Sequence, residues 1–196
     1  MKRRGQQRPI RPTIYLIAED KTGQFVLKAI LSKRGIKADV QLRGKAEGVS
    51  SLAREIKELI DTILQQKSGK DCIVVLHDTD DSTQTYREDY YRIEQICQNY
   101  KEYVTHLKAI QEIEAWLLAD SGLCEWLHIS PKACDHLKRP SDTLKRYVNA
   151  RPGNWKWDKI HQPKILENIS ADGDKLSESM RFAMQTLLQL SCTQAK

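Results

Sequence analysis

The chain lacks any apolar run long enough to cross a bilayer. Its longest, such as Ile73 to Leu76 and Ala115 to Ala119, fall far short of the roughly 20 residues a spanning helix needs. A transmembrane helix is therefore excluded as an expectation. The N-terminus is basic (Lys2, Arg3, Arg4, Arg8, Arg11), but no apolar stretch follows it of the kind a secretory signal requires, so a cytoplasmic protein is expected. There is no CxxC pair. The five cysteines, an odd number, fit reduced and mostly buried thiols better than a disulfide framework. Cys124, His128, Cys134 and His136 have a C-x3-H-x5-C-x-H spacing that matches no standard zinc pattern, and core thiols with surface histidines are the plainer expectation. Internal repeats and low-complexity tracts are also absent. The excess of one charge is modest: 32 Lys and Arg against 26 Asp and Glu give +6, with a pI near 9.0. That balance favours a polyanionic partner and permits nucleic acid without requiring it.

What is present suits one α/β domain. At 196 residues and 40% hydrophobic content the chain can bury one substantial core. Residues 1–12 carry five cations and two prolines and read as a basic, disordered arm, or equally as a solvated tail. From Thr13 the pattern alternates strand and helix. Strands are expected at Thr13 to Ala18, Ala38 to Leu42, Cys72 to Leu76 and Tyr103 to Ile110. The helices between carry Phe25, Val26, Ala29 and Ile30, then Leu52, Ile56, Leu59, Ile60 and Ile63, then Tyr86, Tyr90, Ile93 and Cys97 behind an N-cap at Ser82. Such alternation implies a mainly parallel sheet flanked by helices, a Rossmann-like arrangement over residues 13–120. A helix is expected from Gln111 through Leu118. Residues 121–196 form a helical and irregular extension packed on the core, ending in a helix from about Leu176 to Leu190.

Acidic residues gather where this arrangement places strand ends. Glu19 and Asp20 follow the first strand, and Asp78, Asp80 and Asp81 follow the third. Ligands of open parallel sheets bind beyond the carboxyl ends of the strands, and the spacing of two lets Asp78 and Asp80 point the same way. Carboxylates crowded in one crevice repel unless a cation neutralises them, and hard oxygen ligands suit Mg²⁺ or Mn²⁺. Either cluster alone would serve equally well as helix caps and turns. A third acidic position lies in Glu112-Ile113-Glu114-Ala115-Trp116. On a helical projection Glu114 falls among Ile110, Leu117 and Leu118 and needs a partner, Glu112 is an exposed helix charge, and Trp116 is a core residue. Lys164 is placed to neutralise transition-state charge, against the plainer role of a surface lysine, and Lys21 and Lys45 near strand ends stand likewise as phosphate contacts.

At these residues the chain resembles the TOPRIM domain shared by topoisomerases, bacterial primases and overcoming-lysogenization-defect nucleases. Glu19 stands where that family has a Glu after the first strand, and Asp78-Thr79-Asp80 matches its Asp-x-Asp. The chain is more closely similar to small bacterial TOPRIM-like proteins often encoded beside ABC-type or AAA ATPases in phage-defence loci, through Glu114 to Asp120 (Glu-Ala-Trp-Leu-Leu-Ala-Asp). Their first turn often reads Glu-Gly-x-Thr-Glu; here it reads Glu19-Asp20-Lys21-Thr22-Gly23, without the second Glu, and no tyrosine can be assigned as a topoisomerase nucleophile. The resemblance implies a metal-dependent nuclease acting on DNA or RNA. Glu19, Asp78, Asp80 and Glu114 would hold Mg²⁺ or Mn²⁺, and an ATPase partner would present the substrate. A homo-oligomer is compatible with all of this. Two other readings stand beside it. One is a haloacid-dehalogenase-like phosphatase, for which Asp78 to Ser82 is a loose match on the third strand instead of the first. The other is a noncatalytic regulatory or nucleic-acid-binding subunit.

Overall fold

Short runs of β-branched and aliphatic residues form four parallel strands: β1 (Thr13–Ala18), β2 (Asp39–Arg43), β3 (Cys72–Thr79) and β4 (Val104–Ile110). A computed structural model describes residues 11–44, 48–79, 86–190 and 192–193. The strand order is β2-β1-β3-β4, all parallel, with helices α1 (Lys21–Lys33), α2 (Val49–Gln66) and α3 (Arg87–Asn99) as the crossovers. The α/β architecture expected from the alternation is the architecture found.

Strand period two divides the core. Ile14, Leu16, Ala18, Val74 and Leu76 face one side and pack with α1, while Ile17, Ile73 and Val75 face the other and pack with α2 and α3. β1 and β3, in the middle of the sheet, are thus buried on both faces, which is why they read as nearly continuous apolar runs. The buried stripe of α1 is Val26, Leu27, Ile30 and Leu31, with Phe25 and Ala29 only half-buried, one residue round from the expected stripe.

The chain beyond β4 returns to the α1 face. It contributes α4 (Glu114–Leu118), α5 (Ser121–Leu127), α6 (Pro140–Ala150), α7 (Gln162–Ile165) and α8 (Glu178–Gln189), and residues from Ile113 to Cys192 join the same apolar cluster as β1 and α1. The helix expected from Gln111 starts only at Glu114, because Gln111 turns the chain in the left-handed region (φ 64°). Trp116 lies in the core, its indole N–H donating to Ser179 Oγ at 2.8 Å. Asp135, also buried, accepts from the N–H groups of Glu178 and Ser179 and so fastens the start of α8. Ser82 falls outside the described residues, as do residues 1–10 of the basic arm.

The cysteines correct one expectation. Cys72, at the start of β3, is paired in a disulfide with Cys192 near the C-terminus. Cys97, Cys124 and Cys134 are unpaired and buried, and burial pushes the Cys97 and Cys124 thiols up to about 12. A separation of 120 residues leaves no local spacing signal for the pair. Cys124 bonds the Leu118 carbonyl at 3.2 Å, a core thiol as the plainer reading holds.

Asp120, which closes the Glu-Ala-Trp-Leu-Leu-Ala-Asp stretch, has a structural task. It is 2% exposed and accepts from Leu123 N (2.9 Å), capping α5, and from Ser170 N (2.9 Å) and Asp172 N (3.2 Å) on a distant loop. Asp120→Ala leaves three backbone donors without their acceptor and should cost about 2 kcal/mol of stability. Chemical denaturation should read this as a lowered midpoint, and an unchanged midpoint would refute the assignment.

Candidate active site

The crossovers from β1 and β3 leave toward opposite edges of the sheet, so a crevice opens between the carboxyl ends of these two strands. Glu19 directly follows β1. Asp78, expected after the strand, lies inside β3, which runs to Thr79, three residues beyond its expected end at Leu76; the ladder with β4 continues through Asp78–Ala109 and Thr79–Ile110 and holds it in register. The two residues meet: Asp78 N–H donates to Glu19 Oε1 at 3.0 Å, and Asp78 Oδ1 accepts from Ile113 N–H at 3.0 Å. The turn after β4, with its strained Gln111, thereby presses the Glu112 to Glu114 segment onto the end of β3. Asp80 and Asp81 lie outside the described residues, as does Lys45.

Glu114 is buried, and its partner is the Trp157 indole N–H, 2.9 Å from Oε1. The projection anticipated the burial for the wrong reason, since Ile110 belongs to β4 and not to the helix. Glu112 is half-buried instead of exposed, and Oε2 accepts from Ser141 N–H at 2.6 Å near the start of α6. Asp20 takes the structural role open to it: it caps α1, accepting from Thr22 N (2.8 Å), Gly23 N (3.2 Å) and Thr22 Oγ1 (2.8 Å). Gly23, at the place of the missing second Glu, is buried beside Ala18 and Leu76 and offers no side-chain oxygen.

Charge crowding shows in the titration of these groups. The Asp78 carboxyl is held well above the usual range, by loss of hydration first and by the negative charges of Glu19, Glu114 and Asp20 next. Burial lifts Glu114 to about 7, against the lowering effect of the Trp157 hydrogen bond. Beneath Asp78, the buried His77 ring contacts the Asp78 carbonyl at Nδ1 (2.7 Å) and His106 Nε2 at Nε2 (2.8 Å), and stacks on Tyr90. A carbonyl only accepts, so His77 Nδ1 carries the proton and its Nε2 accepts from His106. Burial lowers both rings, His106 to about 4. Both histidines are therefore neutral and offer the carboxylates no compensating charge at neutral pH.

Asp78, Glu112 and Glu114 line a cavity of about 630 Å³ together with Lys145, Lys159 and Gln162. A smaller one of about 370 Å³ lies where Glu19, Asp78 and Glu112 face Ser50 and Tyr86. Lys164 is not on either wall; it is exposed, with Nζ 5.4 Å over the Trp155 ring, because the turn of α7 that buries Gln162 turns Lys164 outward. Lys21 is exposed on the first turn of α1. Sequence reading missed Trp157, Gln162, Lys145 and Lys159. For Trp157 and Lys159 the signal was the aromatic and basic run Trp155-Lys156-Trp157-Asp158-Lys159; Lys145 and Gln162, outside that run, had none.

Among the described residues no group of three or more His, Cys, Asp and Glu stands ready to hold a metal ion. The donor chemistry nevertheless fits a hard divalent cation: the groups are all carboxylates, and Asp78 is raised by the charges of three others. Among those residues, too, no helix is long and apolar enough to cross a membrane. No family model, curated protein or solved structure matches the chain.

Proposed function

We propose that this protein is a metal-dependent, TOPRIM-like nuclease that hydrolyses phosphodiesters of DNA or RNA. The observation carrying this reading is the junction of Glu19 and Asp78 at the switch point of the sheet, with Glu114 close enough to raise Asp78 by its charge. Glu19, Asp78 and Glu114 would hold Mg²⁺ or Mn²⁺, joined by Asp80 from the segment just after β3. When bound, a divalent cation there polarises water and offsets charge building on the phosphodiester. The chain's own residues do the rest. Ile113 N–H fixes the Asp78 carboxyl, Trp157 fixes Glu114, and Lys145 and Lys159 bring positive charge to a cavity wall otherwise rich in carboxylates.

An ATPase partner, a role in phage defence and a cytoplasmic setting belong to the same proposal and come from the resemblance. The Cys72–Cys192 pair pulls against a reducing compartment. The phosphatase reading gains nothing here, since the second Asp it needs, Asp80, lies outside the described residues.

Gel shifts across a salt series, run beside cleavage assays on single- and double-stranded DNA and RNA, test the proposal. Binding should weaken as salt rises, because phosphate contacts release counterions. Cleavage should need Mg²⁺ or Mn²⁺, stop with chelator, and increase with a candidate ATPase. Binding with no cleavage under any metal or partner condition would favour the regulatory subunit instead.

A further inference from the structure

The cavity beside the carboxylates has one wall with an unmet need. Gln162 opens α7, in the C-terminal region, and is 4% exposed. The hydrogen-bond chain fixes how its amide lies. Thr22 Oγ1 spends its proton on Asp20 Oδ2 at 2.8 Å, so that oxygen accepts from Gln162 Nε2 at 3.3 Å. Oε1 is the end left over, and it has no hydrogen-bond partner among the described residues. A buried acceptor of this kind is costly, and a water or an ion is what ordinarily meets it.

The neighbours restrict what that ligand is. Asp78, Glu112 and Glu114 line the same cavity and, when ionised, are acceptors too; Lys145 and Lys159 line it without bonding Oε1, and the Trp157 N–H is already spent on Glu114. A neutral amide oxygen among carboxylate oxygens matches the donor set of a hydrated hard cation, which takes carbonyls and waters along with carboxylates. We propose that Gln162 Oε1 accepts a hydrogen bond from a water of the cation's hydration shell, so that the C-terminal region helps to build a site otherwise carried by the sheet. The inference rests on the metal reading above and adds a residue to it. Gln162 is a positioning residue in this role: it orients a water and does not touch the reacting phosphate.

Mn²⁺ affinity of the full chain, measured without nucleic acid by calorimetry and by the paramagnetic resonance of free Mn²⁺, tests it. Gln162→Leu removes the acceptor and should weaken Mn²⁺ binding about tenfold, the scale of lost outer-shell partners. Gln162→Glu keeps an acceptor oxygen while losing the donor to Thr22, and should bind Mn²⁺ at least as tightly as the parent. Gln162→Met, closer in shape, carries the same expectation as Gln162→Leu should the latter not fold. Equal affinity in parent and Gln162→Leu, with binding lost in Asp78→Asn, overturns the role of Gln162 and leaves the metal site standing. Equal weakening in Gln162→Leu and Gln162→Glu overturns it as well, because the Thr22 contact would then be what matters. A parent that binds no Mn²⁺ overturns both this inference and the metal reading.

Discussion

Asp78→Asn should abolish metal-dependent cleavage, a fall of at least about a thousandfold, while the metal-free protein becomes more stable. Both halves follow from one geometry. Asn keeps an oxygen for the Ile113 N–H, so the turn after β4 stays docked on the end of β3. What disappears is a carboxyl held well above its usual range by burial and by the charges of Glu19, Glu114 and Asp20. In the metal-free state that crowding opposes folding, and removing one member relieves it. With a cation the same carboxylate is an indispensable ligand, and a neutral amide is a poor substitute. The readouts are single-turnover cleavage in Mn²⁺ and a thermal melt in chelator. Full cleavage by a folded variant would end the nuclease proposal; a lower melting temperature would mean that Asp78 stabilises the fold and that crowding is not its main burden.

Much of this geometry was legible in the sequence, for physical reasons that also explain the omissions. Parallel strands buried on both faces announce themselves as runs such as Ile73 to Leu76, and helices such as α2 by the spacing of Leu52, Ile56, Ile60 and Ile63. Once the strands are placed, the residues at their carboxyl ends are placed with them, which is how Glu19 and Asp78 could be paired across 59 positions. Local pattern fails where contacts are long-range and made by single residues. Trp157 reaches Glu114 from 43 residues away, Gln162 reaches Thr22 from 140, and Cys72 pairs with Cys192. None of these lies on a periodic stripe that would have marked it. The same limit explains Lys164: nothing in the local sequence distinguishes it from Gln162, two residues earlier in α7, and only the docked fold shows that Gln162 is the one lining the cavity. Caps were ambiguous for a different reason. Asp20 and Asp120 have the chemistry of ligands and of caps alike, and the backbone donors that claim them are visible only in three dimensions.

Glu114→Gln should stabilise the metal-free protein by about 3 kcal/mol above pH 7, and by much less near pH 4.5. Burial holds the folded-state Glu114 at about 7 against an ordinary value of 4.5. Between those values the unfolded chain has released this proton and the folded chain has kept it. Stability from this group is therefore full below pH 4.5 and is lost as pH rises through 7. Asp78, also raised, adds a slope of the same sign, and the charges of Glu112 and Asp20 act on Glu114 in the same direction. His106 works the other way: its neutral form is favoured in the fold, so its contribution is present above pH 6.5 and is lost as pH falls toward 4. Comparing the variant with its parent at each pH cancels the histidine slope to first order; Asp78, raised in part by the Glu114 charge, is relieved along with it and adds to the difference in the same direction. Urea unfolding in chelator from pH 5 to pH 8 should show the two proteins diverging as pH rises toward 7 and levelling off above it, with Gln still accepting from the Trp157 indole in place of Glu. Parallel curves would mean that Glu114 ionises in the fold as easily as in the open chain. Mn²⁺ added at pH 8 should then narrow the gap from the parent's side, since a cation favours the ionised carboxylate that folding alone disfavours.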